Sequence, residues 1–311
     1  MPAFRRRLLI ITSMAIATFG GGASAQSATA TSTLADTPPG EPTSEISFQR
    51  VHPDDEGWRV RFEPSVGYFG VSGDVGLPAP LTGREDDQRS LSSLDLDSPR
   101  LSPYGELLVG YERWSVTVSG LGFSIDGGAR AARAGRFGDA VFAAGDEIET
   151  EFSYATVGVR GGYRIHRWVS EFEADGTPVV ATRADVLFGA RGHRVEVDAS
   201  IDRVVPLPGA VSAASADELF IEPVAGLSLE LEYKRTFGLD FYIAAGGLPL
   251  DDRSSYSFDL GVGFNYRPRP WIGAQIGYRL IVLGVEEGSG ADRFEWDGAI
   301  AGLYWGVRFD F

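Results

Sequence analysis

Few residues of this sequence could perform acid–base chemistry. It contains three histidines, His52, His166 and His193, and no cysteine, which excludes a thiol nucleophile, a cysteine metal site and disulfide bonds. Only His193 lies within a predicted strand, and Glu196 and Asp198 follow it at a spacing from which an acid could orient an imidazole as a general base. The spacing places no serine nucleophile beside it. We therefore expect His193 to be a structural or solvated residue rather than a catalytic one.

Glycine-rich fragments and acidic runs are the other features that could bind a ligand. The fragments GGYR, GVGF and AAGG lack the lysine and the strand–loop–helix context of a phosphate-binding loop, so we attribute their glycines to crowding inside a narrow barrel or to close backbone contact. Acidic residues cluster at 84–87, 95–97, 145–151 and 251–252, where a divalent cation could bind. None of these runs has the spacing of a calcium loop, so solvated acidic loops are the simpler interpretation. We expect no cofactor and no resident metal.

The N-terminal part of the chain differs in composition from the rest. It has three arginines, an apolar run over 8–19 and a small-residue cleavage site at 23–25, which predicts an export signal peptide over 1–25. Residues 26–57 are rich in Ser, Thr, Ala, Pro and acid, which predicts a flexible leader. The structured domain is expected over 58–311.

The charge balance argues against nucleic acid as a partner. The formal net charge is −15, and losing the three arginines of the signal would make it −18. A phosphate backbone would be repelled by such a surface.

Residues 58–311 consist of segments in which apolar and polar residues alternate. In YSFDLGVGFNYR, over 256–267, six large apolar or aromatic residues share one face, and small, polar or charged residues share the other. This period of two predicts ten β-strands, and eight or twelve are also compatible because strand ends drift by several residues. The predicted strands are 58–72, 101–112, 114–125, 150–165, 183–198, 218–233, 235–246, 254–267, 270–285 and 293–311.

Two of these segments lose the alternation partway along. The apolar face switches near Gly120 in one segment and near Gly192 in the other. A β-bulge at the glycine would restore the register, and a misplaced strand end would explain the switch equally well.

Alternation alone suits a soluble sandwich as well as a membrane barrel, so the positions of aromatic and charged residues must decide between them. Aromatic residues occupy the strand ends next to short connections, as at a lipid–water interface. This predicted girdle comprises Tyr111, Trp114, Tyr163, Tyr233, Tyr266 and Trp271, with Phe237 and Phe311 at the same level.

The face opposite the apolar one carries glycine and charged residues. In a membrane barrel the apolar face contacts lipid and the charged face lines the lumen, where ion pairs can form. The predicted lumen charges are Arg59, Arg61, Glu63, Glu106, Arg160, Arg164, Asp185, Glu230, Asp240, Asp259, Arg279, Arg308 and Asp310. In a soluble sandwich the same residues would be solvated on the outside.

The last strand resembles the terminal strand of Gram-negative outer-membrane barrels. Trp305, Val307, Phe309 and Phe311 carry this resemblance, which implies recognition by the barrel-assembly machinery. The pattern over 58–311 is similar to that of the small OmpA/OmpX-like barrels, which usually have eight strands. We therefore predict an all-β protein that forms a single up-and-down antiparallel transmembrane β-barrel.

This interpretation carries expectations about location and function. Both chain ends should lie in the periplasm, with the short turns, while the long loops face outside and contact lipopolysaccharide, directly or through cations. A monomer is favoured. Eight to ten strands leave little open bore, so we expect a structural or surface protein with a filled lumen. A small-solute pore and an outer-membrane hydrolase of the lipid A deacylase or omptin type are the alternatives.

Overall fold

Ten antiparallel strands close into a ring in the computed structural model. The structure describes residues 57–83, 88–173, 176–205 and 208–311. The predicted signal peptide, the predicted leader up to residue 56 with His52, and the acidic run 84–87 lie outside the described residues. No helix in the described ranges is long and apolar enough to cross a membrane.

The strands follow one another around the ring in chain order. Pairing of β1 with β13, for example Val66 opposite Trp305, closes the ring and removes both sheet edges. The strands are β1 (Trp58–Gly76), β2 (Arg89–Ser90), β3 (Arg100–Tyr111), β4 (Trp114–Arg130), β5 (Gly135–Phe137), β6 (Ala140–Phe142), β7 (Glu147–Val169), β8 (Val180–Asp202), β9 (Ala213–Tyr233), β10 (Phe237–Pro249), β11 (Arg253–Arg269), β12 (Ile272–Glu287) and β13 (Phe294–Asp310). The short β2 extends the sheet beside β1, and β5 and β6 form a separate hairpin. The up-and-down barrel of ten strands is thus confirmed.

Connection lengths differ between the two ends of the barrel. At one end β3–β4 and β9–β10 turn within a few residues, and Glu112, Lys234 and Arg235 adopt positive φ angles there. Such left-handed turn residues match the twist of paired strands. At the other end lie the long connections between β1 and β3, β4 and β7, and β8 and β9. We call these ends the short-turn end and the long-loop end.

At the short-turn end, the predicted strands leave one long connection, 166–182, between β7 and β8. The structure shortens it, because the two strands stay paired as far as Val169 and Ala181, and Phe172 forms a further bridge with Pro178. The hairpin therefore projects beyond its neighbours at the short-turn end.

Glycines on the inner wall make room for large rings. A Cβ atom at Gly261 would clash with the Tyr242 ring, and one at Gly277 would clash with Tyr304. The glycine-rich fragments of the sequence therefore reflect crowding inside the barrel, as their composition predicts.

Neither of the two explanations offered for the loss of alternation is correct. Pairing continues without a shift through Gly120 and Gly192, and both strands run on for many residues. The register shifts that do occur lie between Arg164 and His166 and between Tyr266 and Arg269. What changes at the two glycines is the environment: beyond them apolar side chains point into the barrel instead of out of it.

Candidate functional site

Large apolar side chains cover a band on the outside of the wall. Val159, Phe264 and Trp305 remain 49%, 42% and 45% exposed although they belong to regular paired strands. Soluble proteins rarely expose a contiguous apolar patch larger than a few hundred Å². A closed ring of strands with an apolar exterior is instead the arrangement that satisfies every backbone group within lipid. The band is therefore the lipid-facing surface.

Aromatic rings mark the short-turn edge of this band. The six predicted girdle residues all lie on the outer wall near this edge, and neighbouring rings touch: Trp114 and Tyr163 have ring centroids 4.8 Å apart. Two further residues belong to the girdle and were not predicted from the sequence: Trp58, whose ring centroid lies 5.2 Å from that of Tyr111, and the exposed Trp168. In the last strand, Trp305, Val307 and Phe311 are exposed on the same outer face.

The lumen at the short-turn end is filled by a layer of ion pairs. Arg61 donates to Glu230 at 2.7 Å and to Asp310 at 3.2 Å, and Arg308 lies 2.9 Å from Asp310 and 3.6 Å from Glu63. Arg61 and Arg308 are almost completely buried. Buried charges of this kind are tolerated because each has partners of opposite sign. We call this set the ion-pair layer.

A second set of charges lies at mid-height and is centred on Asp259. This carboxylate is fully buried and accepts hydrogen bonds from Arg191 at 2.5 Å, from Arg279 at 2.8 and 3.2 Å, and from the Tyr242 hydroxyl at 2.6 Å. Arg279 also lies 5.1 Å from the centre of the Tyr104 ring. The geometry is a two-sided clamp in which one carboxylate accepts hydrogen bonds from two guanidinium groups and offsets one of their two positive charges.

Next to this clamp, Arg160 forms an ion pair with Glu106 at 3.1 Å.

The remaining predicted lumen charges include Arg59 and Arg164, which are half-buried on the inner wall near the short-turn end. Asp240 accepts a hydrogen bond from Asn265. Arg191, Tyr242 and Tyr154 were not singled out from the sequence, although their positions in the alternation place them on the inner face.

His193 is completely buried in the lumen rather than solvated. Its Nδ1 lies 2.7 Å from the Tyr154 hydroxyl and its Nε2 lies 3.2 Å from Glu222 Oε1. Ser255 and Ser257 also donate to Glu222. This His–Glu pair has serines nearby, as a hydrolase would need, yet neither His193 nor Glu222 has any exposed surface. Glu196 and Asp198, the acids close to His193 in sequence, do not contact it.

Towards the long-loop end the lumen is filled by an apolar layer that was not predicted from the sequence. Phe152 and Trp296 pack edge-to-face with ring centroids 5.3 Å apart, and Trp296 also lies 5.9 Å from Tyr154. Other members of this layer are Phe69, Ile125, Val195, Val197, Ile281 and Leu283, each less than one-tenth exposed. The switches near Gly120 and Gly192 were its sequence signal, because Ile125 and Val195 follow them.

Above the apolar layer, the long loops form a cap with its own polar anchors. Asp139 accepts hydrogen bonds from the backbone N–H groups of Leu81 at 3.1 Å and Thr82 at 3.0 Å. Asp146 accepts from Ala143 N–H and from the N–H of residue 204, and these bonds hold the pKa of Asp146 below its ordinary value. The cap therefore ties three loops together.

On the outside of the same end the wall becomes polar. Asp126, Glu151 and Asp198 are exposed and lie opposite one another on β4, β7 and β8. At 23 residues each, β7 and β8 exceed the ~9–11 residues that cross a bilayer. The barrel thus extends beyond the lipid-facing band at the long-loop end. There its interior is apolar and its exterior is polar, as in a soluble protein.

Acidic residues gather at this end, as their loop positions suggest. A cleft of about 920 Å³ is lined by acids that include Asp95 and Glu149. Within the described ranges, no three His, Asp or Glu side chains are grouped to hold a metal ion.

A closed antiparallel barrel with a lipid-facing band and a polar inner wall defines an outer-membrane β-barrel protein. Solved structures with this architecture include the outer membrane protease OmpT from Escherichia coli, with 10% identity, a TM-score of 0.46, and coverage of 81% of this chain and 97% of OmpT. Neisserial surface protein A has 12% identity, a TM-score of 0.33, and coverage of 82% and 98%. The Pseudomonas putida toluene transporter TodX has 11% identity, a TM-score of 0.22, and coverage of 81% and 89%. Comparison with protein-family models and with curated proteins found no match.

Proposed function

We propose that this protein is a non-conducting structural or surface barrel of the outer membrane. The observation that carries this proposal is that the lumen is blocked by two kinds of layer in series. Arg308 and Asp259 are only 1% and 0% exposed within the charged layers, and the fully buried Trp296 lies in the apolar layer that follows them. An ion crossing the barrel would have to break buried ion pairs and then enter a dry apolar core, which is costly.

The first experiment is conductance in planar lipid bilayers. We expect the refolded protein to give no reproducible current steps above the lipid background in high salt, because both barriers must open together for ions to pass. A known porin inserted in the same lipid provides the positive control. Folded protein should be verified beforehand by its faster gel migration without boiling. Reproducible steps would overturn the filled lumen and favour the small-solute pore.

The hydrolase alternative rests on His193 and the serines around Glu222. Burial argues against it, since a substrate cannot reach a fully enclosed imidazole. We expect neither the wild type nor the His193→Gln variant to alter lipid A or unfolded peptide substrates, as measured by mass spectrometry. His193→Gln should instead reduce the free energy of unfolding by about 1–3 kcal/mol, because Glu222 and Tyr154 lose a buried hydrogen-bonding partner. If the wild type cleaved either substrate and the His193→Gln variant did not, the structural role of His193 would be refuted.

The proposal includes an orientation and partners. The chain ends and the short turns face the periplasm, and the cap and acidic clusters face the exterior, where they contact lipopolysaccharide. This orientation is supported by the connection lengths, because short periplasmic turns and longer external loops are the rule in such barrels. The outward-facing Trp305, Val307 and Phe311, together with Phe309, serve as the signal that the barrel-assembly machinery reads.

A further inference from the structure

A cavity of about 590 Å³ opens at the short-turn end, with the ion-pair layer as its floor. It lies between the β7–β8, β9–β10 and β11–β12 connections and the ends of β1 and β13. Backbone hydrogen bonds join the connections: Lys234 N–H donates to Val179 O at 2.9 Å, and Arg267 N–H donates to Thr236 O at 2.6 Å. The rim is therefore a continuous part of the fold. We call this cavity the basic cup.

The charge of the basic cup is opposite to that of the protein as a whole. Eight basic side chains line it, against three acidic ones, Glu230, Glu232 and Asp310. The complete chain, by contrast, carries a formal net charge of −15. A concave site with walls of low dielectric constant concentrates the field of such a cluster and attracts anions.

The acidic side chains of the basic cup are already engaged. Glu230 and Asp310 pair with Arg61, and Glu232 pairs with Arg267. Lys234 is neutralised by Glu173 at 2.7 Å, outside the cavity lining. Arg183 is paired as well, with Asp185 at 2.8 Å.

Two arginines of the cup have no carboxylate within 4 Å in the described part of the chain. The charged neighbours of Arg59 include Arg61, Arg164 and Arg183, with Glu230 as an acid among them. Arg269 lies 6.0 Å from the centre of the Trp271 ring at the rim. A bound anion would relieve the repulsion around Arg59 and give both guanidinium groups a partner.

We propose that the basic cup binds a phosphate-bearing anion with at least two negative charges. Guanidinium groups offer paired N–H donors that match two phosphate oxygens, and the volume lies within the ~300–1,000 Å³ of small-molecule sites. The phosphate comes either from a soluble compound or from an anionic lipid, because Trp58 and Phe311 line the cup and also reach the lipid-facing edge.

Calorimetric titration of the full barrel with pyrophosphate in zwitterionic nanodiscs tests this site. We expect saturable one-site binding that weakens as salt is added, because the attraction is electrostatic. The Arg59→Gln/Arg269→Gln variant should bind pyrophosphate at least about tenfold more weakly than the wild type. If the double variant folds poorly, Arg269→Gln alone replaces it, because this change lies in a turn; it should also bind pyrophosphate more weakly than the wild type. Arg100→Gln/Arg130→Gln removes two exposed arginines away from the cup and should bind within about twofold of the wild type.

A second titration, in nanodiscs with one quarter phosphatidylglycerol, separates the two sources of phosphate. If the lipid headgroup occupies the cup, pyrophosphate affinity falls in the wild type and not in the Arg59→Gln/Arg269→Gln variant. An unchanged affinity assigns the cup to soluble phosphates. Absence of saturable binding in both kinds of disc, or equal weakening by the cup and control variants, would overturn the proposal.

Discussion

Replacing Asp259 with alanine should lower the free energy of unfolding by about 3–5 kcal/mol. Arg191 and Arg279 are both buried and both donate to this one carboxylate, so the substitution leaves two guanidinium groups in the lumen without an acid. Reversible urea unfolding in detergent or lipid, followed by the fraction of protein that migrates as the compact form without boiling, measures the change.

A matched control for this variant is Asp251→Ala. Asp251 is an exposed acid next to β11, so its loss should change the free energy by no more than about 0.5 kcal/mol. The double variant Asp259→Ala/Arg279→Met should be less destabilised than the sum of its single changes, because the two side chains interact directly. If Asp259→Ala and Asp251→Ala unfold at the same urea concentration, the clamp around Asp259 contributes nothing to stability.

The second large effect is expected at the apolar layer. Trp296→Ala removes the fully buried ring that packs against Phe152 and Tyr154, and we expect a loss of about 3–5 kcal/mol from the lost contacts and the cavity left behind. Urea unfolding again gives the value. Loss of the near-ultraviolet circular dichroism signal before the far-ultraviolet signal would show that aromatic packing fails before the strands separate.

Trp305 offers a control on the same strand. Nine positions further along β13 it points outwards into the lipid band, so lipid chains can fill the space left by Trp305→Ala. We expect a clearly smaller loss of stability than for Trp296→Ala when both variants are refolded without assembly factors. If the two variants lost the same stability, the lumen around Trp296 would be loosely packed, contrary to the complete burial of that ring.

The ten strands and the direction of most side chains could be predicted from local pattern, whereas β7 (Glu147–Val169) and β8 (Val180–Asp202) extend three or four residues beyond their predicted limits at each end. The period of two in 256–267 decides which residues share a face, and a closed barrel is the way such strands can lie in lipid without exposed edges. The predicted lumen residues Arg61, Asp259 and Arg308 follow from the same alternation. Aromatic positions such as Trp114 and Trp271 follow because the interface with lipid selects ring types at one level.

The sequence by itself therefore determined which face of each strand is apolar over the bilayer, since alternation is a property of neighbouring residues. Only the tertiary structure decided which charges pair, because Arg191 and Asp259 are separated by 68 positions and meet through the closure of the ring. It also decided that the apolar face turns inwards beyond Gly120 and Gly192. The pattern there shows an inversion, but whether lipid or the lumen surrounds a side chain depends on the height of the strand relative to the bilayer. The height of a residue relative to the bilayer and its distance from residues across the barrel depend on all ten strands together. No single segment of the sequence encodes them.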